Sequence, residues 1–184
     1  SGMAFGYWAA SVAFIVIFPV FFLMPYAMMQ VPPVLESKEL VEFAKNDKVA
    51  VILQILAIFP AHVLTLIFGW LIVTHKRRDS FTDALGWKSG GVRWWYYPLI
   101  IVGFLGFAAL VSYIYPEQES DMIRMIQSSQ GALISIALLA TFTAPIVEEL
   151  VYRGVMFSAF QRTMGTSAAF GMVTFLFALV HVPQ

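Results

Sequence analysis

Two adjacent carboxylates, Glu148 and Glu149, an arginine at 153 and a histidine at 181 are the residues of this 184-residue chain whose types and spacing could do chemistry. All four sit in otherwise apolar runs. A carboxylate in hydrocarbon is costly, so both glutamates are expected to face a bundle interior or a watered cavity. Neighbours on a helix point about 100° apart and cannot share one task, whereas Glu149 and Arg153, four apart, lie on one face and are expected to pair. That leaves Glu148 to look into the cavity, with Tyr152 four residues further on. Desolvation disfavours the charged carboxylate and so makes it a stronger base, suited to activating water near neutral pH.

Counting along the chain connects Glu148 to His181. Glu148 lies 14 residues before Arg162, and His181 lies 15 residues after Thr166. At about 1.5 Å per helical residue both are roughly 21–23 Å from the turn between them, level within a turn of helix. The plainer alternative is an ion-pair network of Glu, Arg and His that holds helices together without chemistry. His62, midway along an earlier apolar run, is expected chiefly to hydrogen-bond in the core, and His75 to sit at an interface. Carboxylates and an imidazole can also bind zinc, but there is no HExxH, and four ligands would require His62 or residues not in the sequence. No metal and no cofactor are therefore assigned.

The elements that must position these side chains are transmembrane helices. Hydrophobic residues make up 60% of the chain and charged residues 12%, far from soluble usage. Four charge-free windows, about Tyr7–Val31, Val49–Thr74, Trp94–Tyr115 and Met125–Val147, are long enough to cross a hydrocarbon core of about 30 Å. A fifth helical segment, Ser167–Val180, follows a turn at Gly165-Thr-Ser. The expected fold is thus all-α, a polytopic bundle of about five spans forming one integral membrane domain over residues 1–184. Pro19, Pro25 and Pro60 lie within spans and should kink helices without breaking them.

Charges between the windows set an expected orientation. The 36–48 connection carries a net charge of −1, the 76–93 connection +3 and the 117–124 connection −2, while Arg162 stands alone at the last turn. Basic connections stay in the cytoplasm, which places 76–93, the 162–166 turn and the N-terminus inside, in what is read as a bacterial plasma membrane. Trp70, Trp87 and Trp94 to Tyr97 gather around the basic connection as interfacial anchors, and 76–93 could lie along the membrane as a short amphipathic element. With 11 basic and 11 acidic residues, nothing recommends a nucleic-acid partner. Zero cysteines exclude disulfides and a thiolate nucleophile. Membrane lipids are the implied surroundings, and the sequence is silent on oligomeric state.

The motif Glu148-Glu149-x-x-x-Arg153 within Ala144-Pro145-Ile-Val-Glu-Glu-Leu-Val-Tyr-Arg-Gly154, followed by Phe177-x-x-x-His181 within Ala178-Leu-Val-His-Val-Pro183, resembles the first two signatures of the CAAX protease and bacteriocin-processing family. These are glutamate-dependent intramembrane proteases of the Rce1 type. The match covers about residues 140–184, the earlier helices agreeing only in character. The resemblance implies that Glu148 activates a water, that His181 helps hold it, that Glu149 and Arg153 orient the site, and that Phe177 packs beside it. It implies a peptide or a prenylated or otherwise lipidated protein as substrate. It also implies a later helix whose His and Asn or Asp stabilise the oxyanion. A helix ending at Gln184 would leave uncapped carbonyls deep in hydrocarbon, so the domain is expected to continue. The rival readings are a non-catalytic peptide-binding, immunity or regulatory membrane protein with the same polar centre, and a transporter, since intramembrane ionisable residues also mark ion paths.

Overall fold

A computed structural model describes residues 2–75, 91, 93–115 and 121–181, and among them every regular element is a helix. In chain order these are α1 (Gly2–Met28), α2 (Ser37–Asn46), α3 (Lys48–His75), α4 (Tyr96–Ile114), α5 (Asp121–Ser128), α6 (Gln130–Met164) and α7 (Thr166–His181). Helices α1, α3, α4 and α6 are long and apolar enough to cross a membrane. The fifth expected span, α7, is apolar but 16 residues long, shorter than a typical crossing. The proposed surface element falls mostly on 76–90, outside the described residues.

Helix boundaries follow local chemistry. Asp47 Oδ1 accepts hydrogen bonds from the amides of Val49 and Ala50, both at 2.9 Å, and so caps the start of α3. Ser129, with extended backbone, accepts from the Ala132 amide at 3.1 Å and starts α6. The fourth span therefore begins at Gln130, five residues later than the apolar window suggests, because Met125 belongs to the separate short helix α5. Likewise α2 forms where the charges of 36–48 read as a connection. Helices α1 and α3 run through Pro19, Pro25 and Pro60 without interruption.

Three close approaches give the packing register. A Cβ on Gly131 would lie 3.2 Å from Ile52 Cδ1; His62 Nδ1 is 3.0 Å from Thr143 Oγ1; and a Cβ on Gly69 would lie 2.8 Å from Leu150 Cδ2. Ascending numbers on both helices mean that α3 and α6 run parallel. Helix α1 runs against them: Tyr7, near its start, donates its hydroxyl proton to the Thr65 carbonyl near the far end of α3, at 2.9 Å. The start of α1, the end of α3 and the α6–α7 turn consequently share one side. The turn uses Gly165 at φ 80°, a left-handed conformation that favours glycine.

The main core lies where these helices meet, with Tyr7, Leu150, Met156 and Leu176 among its buried side chains. Lipid tails are as apolar as these residues, so close packing and internal hydrogen bonds hold such a core, more than exclusion from water does. His62 is 5% exposed, and its ring is held by Thr143, whose hydroxyl also donates to the Leu139 carbonyl at 3.3 Å. His62 is thus a core hydrogen-bonding residue, the role expected of it. Thr143→Val should leave a buried ring nitrogen unpaired at a cost of about 1–3 kcal/mol, visible as a lower unfolding temperature in detergent.

On the opposite side, α2 and α5 are joined by an ion pair from Lys45 Nζ to Asp121 Oδ2 at 2.8 Å. The Lys45 hydrogen bond and charge hold the Asp121 carboxyl below the usual carboxylate range. A lowered folded-state value adds stability above the ordinary range, and that stability is lost as pH falls through the lowered value. Both groups are open to water, so the contribution is small. Lys45→Ala should raise the pH at which Asp121 takes up its proton, read by NMR titration, with almost no change in thermal stability at neutral pH.

Candidate active site

Helix α6 carries three of the four sequence-predicted site residues, and its backbone is irregular around them. Hydrogen bonding widens to π-type over Leu139–Thr143 and again over Glu149–Phe157, with a short α-helical stretch, Ala144–Glu148, between. Pro145 has no N–H to give the preceding turn, and the first wide turn ends just before it, with the Ala144 amide reaching back to Leu139 O. A π turn takes up an extra residue and so resets which side chains face the neighbouring helices; such turns gather at functional sites. Glu148 is the last residue before the second one.

The glutamates diverge as the helical spacing requires. Glu149 Oε1 accepts from Arg153 at 2.9 Å, along the helix. The Arg153 side chain is 76% exposed. Glu148 turns instead toward α7, where its Oε1 lies 4.0 Å from His181 Nε2. Their side chains stay 41% and 40% exposed, so the pair is open to another molecule.

The imidazole is oriented from behind. His181 Nδ1 is 2.7 Å from the Phe177 carbonyl oxygen, one turn earlier. A carbonyl can only accept, so Nδ1 carries a proton, and Nε2 is the ring nitrogen that faces Glu148. Oε1 and Nε2 thus face each other across 4.0 Å, too far for a direct hydrogen bond and close to the span of one bridging molecule.

An aromatic chain backs the pair. The Phe177 ring lies 4.3 Å from the His181 ring between centroids, and Tyr152 meets Phe177 edge to face at 5.0 Å and 82°. Trp8 Nε1–H donates to the Tyr152 hydroxyl at 3.4 Å, which ties α1 to the site. Phe177 therefore packs beside the imidazole, where the sequence placed it. Trp8 was not legible, since an indole in a uniformly apolar span carries no periodic or charge signal.

His62 does not join the pair: it meets α6 at Thr143, five residues before Glu148. Among the described residues no group of three or more His, Asp or Glu side chains forms a metal-binding cluster.

Fold and site together define an integral membrane protein built as a polytopic helix bundle, with an intramembrane carboxylate and imidazole facing each other on adjacent antiparallel helices. A protein-family model described as Rce1-like, type II CAAX prenyl endopeptidase Rce1-like, matches residues 130–184. The matched part, less than a third of the chain, is α6 and α7 with both signatures, and it supports a protease of that kind over this part. No curated protein and no solved structure matches the chain.

Proposed function

We propose that the chain belongs to the Rce1-like glutamate-dependent proteases and hydrolyses a peptide bond within the membrane, in a lipid-anchored or membrane-associated peptide. One observation carries this reading: Glu148 Oε1 and His181 Nε2 confront each other across 4.0 Å between adjacent helices, and in the working state Nε2 is unprotonated, so both accept. Water is the small molecule that can donate to both at once, and its lone pairs then point away from the pair toward an incoming carbonyl carbon.

In the reaction, water oxygen attacks that carbon while Glu148 takes one proton. His181 holds the second hydrogen and fixes the direction of attack. As the tetrahedral adduct collapses, Glu148 passes its proton to the leaving nitrogen, the C–N bond breaks, and a carboxylic acid and an amine are released. Neither Ser nor Cys occupies the centre, so no acyl-enzyme forms. The Glu149–Arg153 pair orients Glu148 from the same helix. The basic 76–93 connection supports a cytoplasmic side for the N-terminus and the α6–α7 turn.

The test uses purified protein in phospholipid vesicles and a fluorogenic peptide with a farnesylated cysteine at the fourth position from its C-terminus. Cleavage beyond that cysteine should occur, and in 18O-labelled water the new carboxylate should gain one 18O. No cleavage of this probe or of a membrane-peptide library would defeat the proposal and favour a peptide-binding or regulatory role for the same polar centre.

A further inference from the structure

We propose that the Tyr152 hydroxyl is a further catalytic group, a hydrogen-bond donor to the oxygen of the peptide carbonyl under attack, with Trp8 of α1 as the residue that positions it. The inference rests on the hydrolytic reading above and deepens it.

The hydroxyl is only half used. Its oxygen accepts from Trp8 Nε1–H, and among the described residues its own proton has no acceptor. A hydroxyl proton without a partner at this depth is costly, since lipid offers no acceptor. The arrangement is stable if a ligand supplies one, and the ligand's backbone carbonyls are acceptors.

The position fits the task. Tyr152 is about one helical turn beyond Glu148 on the same helix. Its ring abuts Phe177, whose ring covers His181. Tyr152 therefore stands between α1 and the aromatic backing of the Glu148–His181 pair, while the nucleophile arises within the gap. A carbonyl whose carbon meets that nucleophile can turn its oxygen toward Tyr152. The indole N–H polarises the phenol and strengthens its remaining O–H as a donor. Edge-to-face packing and the Trp8 bond restrict the ring, so the donor is aimed before substrate arrives, which is what makes such donors effective. Tyr152 would supply such a donor from α6 itself.

Tyr152→Phe removes the hydroxyl and keeps the ring. With the vesicle assay and farnesylated peptide described above, kcat should fall about 10²–10³-fold while KM stays within about twofold. Affinity for a phosphinate analogue of the same peptide, which mimics the tetrahedral adduct, should weaken by a similar factor, and the unfolding temperature should fall modestly because Trp8 Nε1–H loses its acceptor. A purely structural tyrosine would not link kcat to analogue affinity in this way. Trp8→Phe, which keeps an aromatic ring without the N–H, should lower kcat about fivefold, the worth of one ordinary hydrogen bond; it carries the test should Tyr152→Phe fail to fold. Wild-type kcat in the folded variant, or a loss of kcat with undiminished analogue affinity, overturns the inference and leaves the hydrolytic reading standing. Equal behaviour of wild type and Glu148→Gln would instead overturn that reading and this inference with it.

Discussion

Glu148→Gln should lower the rate of peptide hydrolysis by about 10²–10⁴-fold, the usual contribution of a positioned base, with little change in substrate binding or thermal stability. The amide has the shape of the carboxylate and loses the basic oxygen. It also changes the partner offered to His181. Across the wild-type gap of 4.0 Å the carboxylate can only accept, whereas a glutamine N–H can donate directly to an unprotonated Nε2. The variant should close that gap to an ordinary hydrogen bond of about 3 Å and displace a bridging water. Two readouts follow from one substitution: hydrolysis lost, and the His181 Nε2 resonance in 15N NMR moved to that of a hydrogen-bonded acceptor. Equal product from wild type and variant would remove Glu148 from the role of base. The variant also separates a base from a structural ion, because an isosteric neutral group should preserve packing.

Gly69→Ala should destabilise the bundle by about 1–3 kcal/mol or more, the usual cost of overfilling a packed core. A Cβ at this position would come within 2.5 Å of Tyr7 Oη and 2.8 Å of Leu150 Cδ2. Neither neighbour can yield easily. The Tyr7 hydroxyl is tied to the Thr65 carbonyl at 2.9 Å, and Leu150 is fully buried two residues after Glu148. Pressure on Leu150 is therefore pressure on the helix that holds the base, so activity should fall along with stability. Thermal unfolding in detergent checks the first effect. Tyr7→Phe in the Gly69→Ala background should recover part of the loss by removing the nearer clash, and a double-mutant cycle would show it as positive coupling. Unchanged unfolding of Gly69→Ala would mean that α1, α3 and α6 do not meet as described.

Much of the candidate site could be read before any coordinates. The Glu149–Arg153 pair follows from four-residue spacing, because any helix near 3.6 residues per turn brings such neighbours together. The level placement of Glu148 and His181 came from counting out from the turn on either side, and the widened turns of α6 did not upset it. The aromatic backing was only partly legible: Phe177 is one turn before His181 and must lie near it, but Trp8 is 144 residues from its partner Tyr152. The partner of His62 was equally out of reach, since pairing with Thr143 depends on α3 and α6 running parallel in one register.

Hydropathy and charge are properties of the chain itself, summed locally, and by themselves they determined the long apolar helices, the all-α class and the polar centre that α6 must hide from lipid. They left α2 as a connection and started α6 too early, because a short amphipathic helix and a loop differ little in composition while Ser129 ends one helix and caps the next. Only the tertiary structure decided that α3 runs beside α6, that π turns flank Ala144–Glu148, and that His181 turns Nε2 toward Glu148. Facing and register depend on which side chains interlock between helices far apart in sequence, and no local sum contains that information.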